Sequence, residues 1–439
     1  TMSVHLFRME DIMGNKKKTW IRRAIMTSAA LVLIVLIVNF ALLMYGRTSM
    51  ENAVVDLERH FGSLEDLTLD NPEIPDSENA ALMIMDGAKM VAWSEDDTAF
   101  RQSVSFKPYH QWTEEEIAGA RTVLDRHKGA LEVLHAAAPL EKSDYGIPYG
   151  RRPLDKLIET PDLLYLIRAS RLLLIETRVA CIDGDRHALL LALRIHSKLV
   201  TTLSEESLLI TALVATACDR MLLYVTGEIL AEARPPFATP DFFHEVSEIL
   251  PDYDPIKLCQ RCIITESIYA YQFKESTGGE NKASADVKQE MLAMLHGDLK
   301  AAAYLEGMIK IVALAREPYG ANPDLFNPNT VQPVIWETNV SGLFNAIFRF
   351  QIEAGQRQLV LAGLRLRQTG LEMGAYPATA PDMPELTTLD AFSGKGLTCQ
   401  FLENGSLRLE RAGAKEALQD IEVAKLLQTL TDVVLPPIN

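Results

Sequence analysis

From Ala24 to Tyr45 the chain runs AIMTSAALVLIVLIVNFALLMY, with no charged residue and Asn39 as its one strongly polar side chain. Such a run predicts a helix of about 33 Å, enough to cross a bilayer core of about 30 Å. Ala24, Leu31, Leu36, Asn39 and Tyr45 mark this expected anchor. After Gly46 the pattern becomes amphipathic. Met50, Val54, Leu57 and Phe61 recur at helical spacing, with Glu51, Asp56, Glu58 and Arg59 between them. A stalk over 46–62 follows, with an apolar stripe that needs a partner. The segment 63–80 holds two prolines and reads as a linker, with a helix start at Asp76 or Ser77.

Beyond it the periodicity is almost entirely helical. A helix is expected over 78–92, then a polar loop over 94–112. Thr113 and Glu116 form a capping box for a helix to about Ala138. Thr160, Pro161 and Asp162 predict a cap, a first-position proline and a dipole-matching acid. Three helices then follow, ending near 183, running 186–200, and starting at Ser204; short links make them antiparallel neighbours. The uncharged stretch 207–218 is too short to span a membrane and predicts a buried core helix. Thr239-Pro240-Asp241 repeats the cap and proline pattern. Further helices are expected over about 240–250, 254–274, 286–316 and 343–374, the last stopped by Gly374 with Pro377 beyond. LTCQFL and SLRLER flank Asn404-Gly405, a hairpin signal, and 413–434 reads as helix again. The expected fold is mainly α. It comprises one N-terminal transmembrane helix, a helical-hairpin, TPR-like exterior domain over 81–342, and a module of long helix, β-hairpin and C-terminal helix over 343–439.

Charge gives the span a direction. Before Ala24, six basic residues including Lys16, Lys17, Lys18, Arg22 and Arg23 face Glu10 and Asp11, a balance of +4; with a net charge of −16, the remainder carries −20. Lys and Arg stay on the cytoplasmic side, so residues 1–23 form a cytoplasmic tail and the body lies outside. Trp20 and Tyr45 stand where interfacial aromatics belong. A cleaved signal peptide is the rival reading, but the apolar run is long for one and no A-x-A-like site follows Tyr45. An acidic body is a poor match to nucleic acid phosphates, so no nucleic-acid partner is expected.

Candidate chemistry is sparse. No H-E-x-x-H, G-x-S-x-G, Walker or Rossmann pattern occurs. His127, His135, His187 and His196 sit at helical spacings without a recognisable metal pattern, so no metal or cofactor is expected. Cys259-Gln-Arg-Cys262 is the sharpest local motif, yet Ile263 replaces the histidine of a haem-attachment site and no second pair completes a zinc site. Burial, or a structural bond to another cysteine, is the expected state of this pair, ahead of redox chemistry. Cys181 and Cys218 lie on neighbouring predicted helices and are candidates for a disulfide.

Two stretches resemble known proteins. The helix, Gly184-Asp185 turn, Ala/Leu-rich helix and long third helix of 160–234, together with PEIPDSENAA (72–81), resemble uncharacterised membrane-anchored helical proteins of planctomycetes, verrucomicrobia and related bacteria. QRQLVLAGLRLRQTGLEMGAYPATAPDM and LDAFSGKGLTCQF, within 356–401, look like the C-terminal module of the same proteins: a helix, G-x-Y-P, D-x-F-S-G and a strand. That module is also similar to the helix and hairpin of type II secretion pseudopilins. Here its helix lies far from the span, and no prepilin cleavage motif precedes the span. The resemblance implies an exported, tethered protein of a bacterial inner membrane, N-terminus inside and body in the periplasm. It carries over no functional residues.

The function expected from these features is that of a non-catalytic accessory subunit. It would pack on the exterior face of a membrane protein complex, of which an energy-transducing (photosynthetic or respiratory) one is an example. The partners expected are the membrane and other subunits of the complex. The alternatives are a tethered peptide- or ligand-binding module with a groove around 160–234, and an exported enzyme of unfamiliar type.

Overall fold

The computed structural model describes residues 38, 40–41, 44–56, 59, 74–105, 107–146, 162–232, 236–277, 302–326, 340–377, 386, 389–414 and 430–438. The chain divides into two compact units, Thr1–Ser63 with Gly278–Glu306, and Leu64–Thr277 with Gly307–Asn439. In the first, residues 44–56 are helical. Met50 and Ala53 are buried, Val54 is half-buried and Val55 exposed, so the buried stripe includes Ala53 as well as Met50. Ala24, Leu31, Leu36, Asn39, Leu57 and Phe61 lie outside the described residues.

The larger unit is mostly helical with a small three-stranded sheet. Helix α1 (Ala80–Lys89) is capped by Asn79, whose Oδ1 accepts from Ala81 N. The expected start at Asp76 or Ser77 is corrected: Asp76–Glu78 is a single 3-10 turn. The polar stretch 94–112 is also corrected. It holds α2 (Glu95–Val104), started by a Ser94/Asp97 capping box. Only Asp97 and Val104 of this helix are buried, so hydrophobic periodicity could not announce it.

The Thr113/Glu116 box starts α3 (Glu114–Arg126) as expected, but the helix breaks at His127 before α4 (Lys128–Ala136). The His127 ring lies 3.0 Å from Val123 O and 3.3 Å from Ala92 O, which holds the break in place.

The centre is a trio, α5 (Leu163–Asp183), α6 (Arg186–Glu205) and α7 (Leu209–Glu232). Asp162 rather than Thr160 caps α5, by accepting from Leu164 N. Gly184 takes a left-handed conformation at φ 69°, and Asp185 then caps α6 through Ala188 N. That turn matches expectation. Ser204 does not start α7; it lies in the last turn of α6, which runs five residues past its expected end at 200. Each helix of the trio packs on the other two, and α7 also packs on α9, α10 and β3, which are defined below.

Helix α8 (Pro240–Ile249) is capped by Thr239 with Pro240 in its first turn. Helix α9 (Pro255–Thr277) follows, and the long α10 (Val340–Met373) ends at Gly374, φ 73°. Strands β1 (Leu397–Phe401), β2 (Leu407–Arg411) and β3 (Asp432–Leu435) form an antiparallel sheet in the order β1-β2-β3, with Cys399 opposite Leu409 and Leu409 opposite Val433. The helix expected over 413–434 is thus corrected at its end. Val433 and Leu435 face the core from β3, with the period-two burial of a strand.

Two apolar cores result. One gathers α1–α5, much of α6 and the first half of α7, through Leu134, Leu172, Leu199 and Cys218. The other gathers the second half of α7, α8, α10 and the sheet, through Leu222, Phe243, Leu359 and Leu409. The D-x-F-S-G motif closes the second core. Asp390 accepts from Phe392 N and Ser393 N, and its Oδ2 takes the Arg411 Nε bond at 2.6 Å, with both side chains wholly buried. This pair presses on Gly355 of α10: a Cβ there would fall 2.1 Å from both Arg411 Nη2 and Asp390 Oδ2. The G-x-Y-P motif has a similar task. Tyr376 Oη donates to Pro436 O at 2.7 Å and ties the end of α10 to the chain after β3.

Candidate functional site

The strongest concentration of ionisable groups lies inside the protein, where α7, α10 and the loop before α9 meet. Helix α7 begins with an uncharged run and then places Asp219 and Arg220 side by side. Helix α10 supplies Glu353, Gln356 and Arg357, spaced so that they share one face. Tyr253 enters from the loop. Arg357 Nη1 donates to Asp219 at 3.1 and 3.3 Å, and Tyr253 Oη donates to Asp219 Oδ2 at 2.9 Å. Arg220 Nε lies 3.3 Å from Glu353 Oε2 and 3.3 Å from Gln356 Oε1. Asp219 and Glu353 have no solvent exposure.

Burial is the largest influence on the Glu353 carboxyl and pushes it well above the ordinary carboxylate range. Arg220 and Arg357 oppose the shift, while the Asp219 carboxylate adds to it. Glu353 therefore holds a proton where an exposed glutamate has lost it, and neither of its oxygens has a hydrogen-bond partner among the described residues. Burial, then Asp219 and Glu353, also raise the Tyr253 phenol.

This arrangement can store a proton and join two helices. It is a poor acid–base pair for glycoside hydrolysis, because such pairs flank a bound substrate and here both carboxyls are closed off from solvent.

A second buried pair fixes α5 to α7. Arg178 donates from Nε and Nη2 to both oxygens of Glu228, at 3.0 and 2.8 Å, and its guanidinium lies over the rings of Trp112 and Tyr224. Burial raises the Glu228 carboxyl and Arg178 opposes it.

Ser170 Oγ and His196 Nε2 stand 2.6 Å apart, a nucleophile–base distance. Both side chains are wholly buried, and burial pushes His196 down to about 4, so the imidazole is neutral and out of reach of a substrate. His135 pairs with Glu176 at 3.0 Å, and His187 is exposed on α6. Among the described residues no group of three or more His, Cys, Asp or Glu side chains is placed to hold a metal ion.

The five cysteines are free. Cys181 and Cys218, the candidate disulfide, do not pair; they belong to different cores. Cys259 and Cys262 are wholly buried, and burial raises both thiols, Cys262 to about 12. Such thiols are not nucleophiles near neutral pH. Cys218 is likewise pushed up to about 12 by burial.

Of the expected anchor residues only Tyr45 is described, and it is 66% exposed; nearby Val38, Phe40 and Met44 are 50%, 65% and 51% exposed. Sequence reasoning did not single out the interior charge cluster. Its signal was present as charged residues at the apolar positions of α7 and α10, but the partners lie 138 residues apart. In comparisons with protein-family models, curated proteins and solved structures, the chain finds no match.

Proposed function

We propose that this protein is a non-catalytic, single-pass accessory subunit. The Ala24–Tyr45 helix would anchor it in a bacterial inner membrane, with its helical body held on the periplasmic face of a membrane protein complex. The observation that carries the reading is the uncharged run with its basic N-terminal flank, whose described end presents Val38, Phe40, Met44 and Tyr45 outward. Exposed aromatic and aliphatic side chains in a row are costly in water and natural at a lipid or protein interface. The interior supports it from the other side. Its buried ionisable groups pair mainly with one another, which suits a rigid body rather than a reacting one.

A groove around 160–234 is less well supported. Helix α7 is buried on nearly all sides, with Thr211, Cys218, Leu222, Val225 and Ile229 among its enclosed residues, so the trio has a filled centre. A TPR-like superhelix needs an open concave face.

The test is fractionation followed by gentle purification. Alkaline carbonate should leave the full chain in the membrane pellet. Protease added to the periplasmic side should digest the body. In mild detergent the chain should migrate with a larger assembly. Release by carbonate, or migration as a lone monomer, sinks the proposal.

A further inference from the structure

The interior cluster is satisfied on one side only. Asp219 takes direct hydrogen bonds from Arg357 and Tyr253. On the other side Arg220 places its Nε between two neighbours, 3.3 Å from Glu353 Oε2 and 3.3 Å from Gln356 Oε1. The three side chains that meet there keep polar atoms with no hydrogen-bond partner among the described residues: Arg220 Nη2, Gln356 Nε2 and both oxygens of Glu353. The approach of Arg220 Nε to Glu353 is thus an ion pair without a hydrogen bond. Glu353 and Gln356 have no solvent exposure, and the Arg220 side chain keeps 10%. Each orphaned atom belongs to Arg220 itself or to a group that already meets its Nε at 3.3 Å, so the donors and acceptors are gathered around one point.

A buried donor or acceptor left unmet bears the full loss of its hydration, and here several are left unmet together. Immobilising one water costs less than their combined penalty. The atoms also decide which small species fits. A cation would face the guanidiniums of Arg220 and Arg357. A halide can accept from Arg220 Nη2 and Gln356 Nε2, but it has no hydrogen to give Glu353, which keeps an accepting oxygen whether or not it is protonated. A water accepts two bonds and donates the third, the usual number for a buried water.

We infer that Arg220, Glu353 and Gln356 hold a resident water, which accepts from Arg220 Nη2 and Gln356 Nε2 and donates to a carboxyl oxygen of Glu353. It completes the polar network between α7 and α10 on the side where direct bonds fall short.

The test uses the full chain in detergent. A crystal structure at a resolution that shows ordered water should place a density peak about 2.7–3.2 Å from Arg220 Nη2, Gln356 Nε2 and a Glu353 oxygen. Crystals grown with bromide in place of chloride should give no anomalous signal at that peak. Such a signal assigns a halide and overturns the proposal, as does the absence of any peak. In solution, magnetic relaxation dispersion of labelled water counts long-lived internal waters. Gln356→Leu removes one donor and sets an apolar branch beside the site, and should lower the count by one. Gln368→Leu, which removes an exposed bond to Glu372 on the same helix, should leave the count as in the parent. An equal count in the parent and Gln356→Leu overturns the proposal. The crystal reading rests on the parent alone and decides the matter if Gln356→Leu does not fold.

Discussion

Two stretches of this chain are long and apolar enough to cross a bilayer, Ala24–Tyr45 and Leu209–Glu232. They differ in what interrupts them. The first carries no charge and is preceded by a basic cluster. The second carries Asp219, Arg220 and Glu228, each buried and each in an ion pair from another helix. A charge in a lipid-facing helix must find water or a partner, at a cost of roughly 3 kcal/mol on insertion scales. A charge in a protein core needs only a partner brought by the fold. The second helix therefore belongs to a core made by its neighbours, and its apolar composition reflects contact with α5, α6, α9, α10 and β3. Length and hydropathy alone rank the two together; the placement of charges separates them.

The largest effect should come from breaking the pairing in the second helix. Asp219→Ala would leave Arg357 and Tyr253 without their shared acceptor in the interior. Removing one partner of a buried pair costs about 3–5 kcal/mol, because the other charge stays desolvated. Equilibrium unfolding in denaturant should show a loss of that order. A loss under about 1 kcal/mol would mean that the cluster is solvated and the contrast between the two stretches false.

Under the proposed anchoring, the first stretch should fail in the opposite sense. Leu36→Arg places a charge near the middle of the uncharged run, where insertion is disfavoured by about 3 kcal/mol. The body carries its own cores, so the expected outcome is a folded chain that shifts from the membrane pellet to the soluble fraction. The same change in the parent's second helix would instead unfold the body. An unchanged pellet fraction for Leu36→Arg would remove the distinction from the membrane side.

How far the fold could be read in advance follows the same division between local and distant signals. The Thr113/Glu116 box, Thr239-Pro240, the Gly184-Asp185 turn and the Asn404-Gly405 hairpin are written in adjacent residues, and the structure has each of them. Helix α2 was hidden because its residues are polar nearly throughout, and its cap is a Ser94/Asp97 box preceding no apolar run. Strand β3 was hidden because DVVL is short enough to sit in a helical pattern until a neighbour pairs with it; β2 supplies that neighbour. The D-x-F-S-G motif was visible as a pattern, but its physical role was not. Asp390 acts on Arg411 and Gly355, which only the fold brings together. The interior cluster was the least legible part. Nothing near Asp219 in sequence names Glu353 or Arg357 as its partners.

The smallest effect tests the proton that the cluster holds. Glu353 has its folded-state affinity for a proton raised above the unfolded value of 4.5, with burial as the leading cause. The sign follows from linkage. The protonated form is favoured in the fold, so the stabilising contribution is complete below about pH 4.5 and is lost as pH rises toward and through the raised folded value. Glu353→Gln keeps the shape and the donor of the protonated acid but cannot titrate. Near pH 5 parent and variant should unfold at similar denaturant concentrations. Toward alkaline pH the parent should lose stability relative to the variant, with a slope of at most about 1.4 kcal/mol per pH unit, the limit for one proton. The difference between the two curves isolates this site, because every other titrating group is common to both. Parallel curves from pH 5 to about 9 would mean that Glu353 is ionised throughout and bound to Arg220 as an ordinary ion pair. The interior of the second helix would then hold a balanced set of charges and no proton.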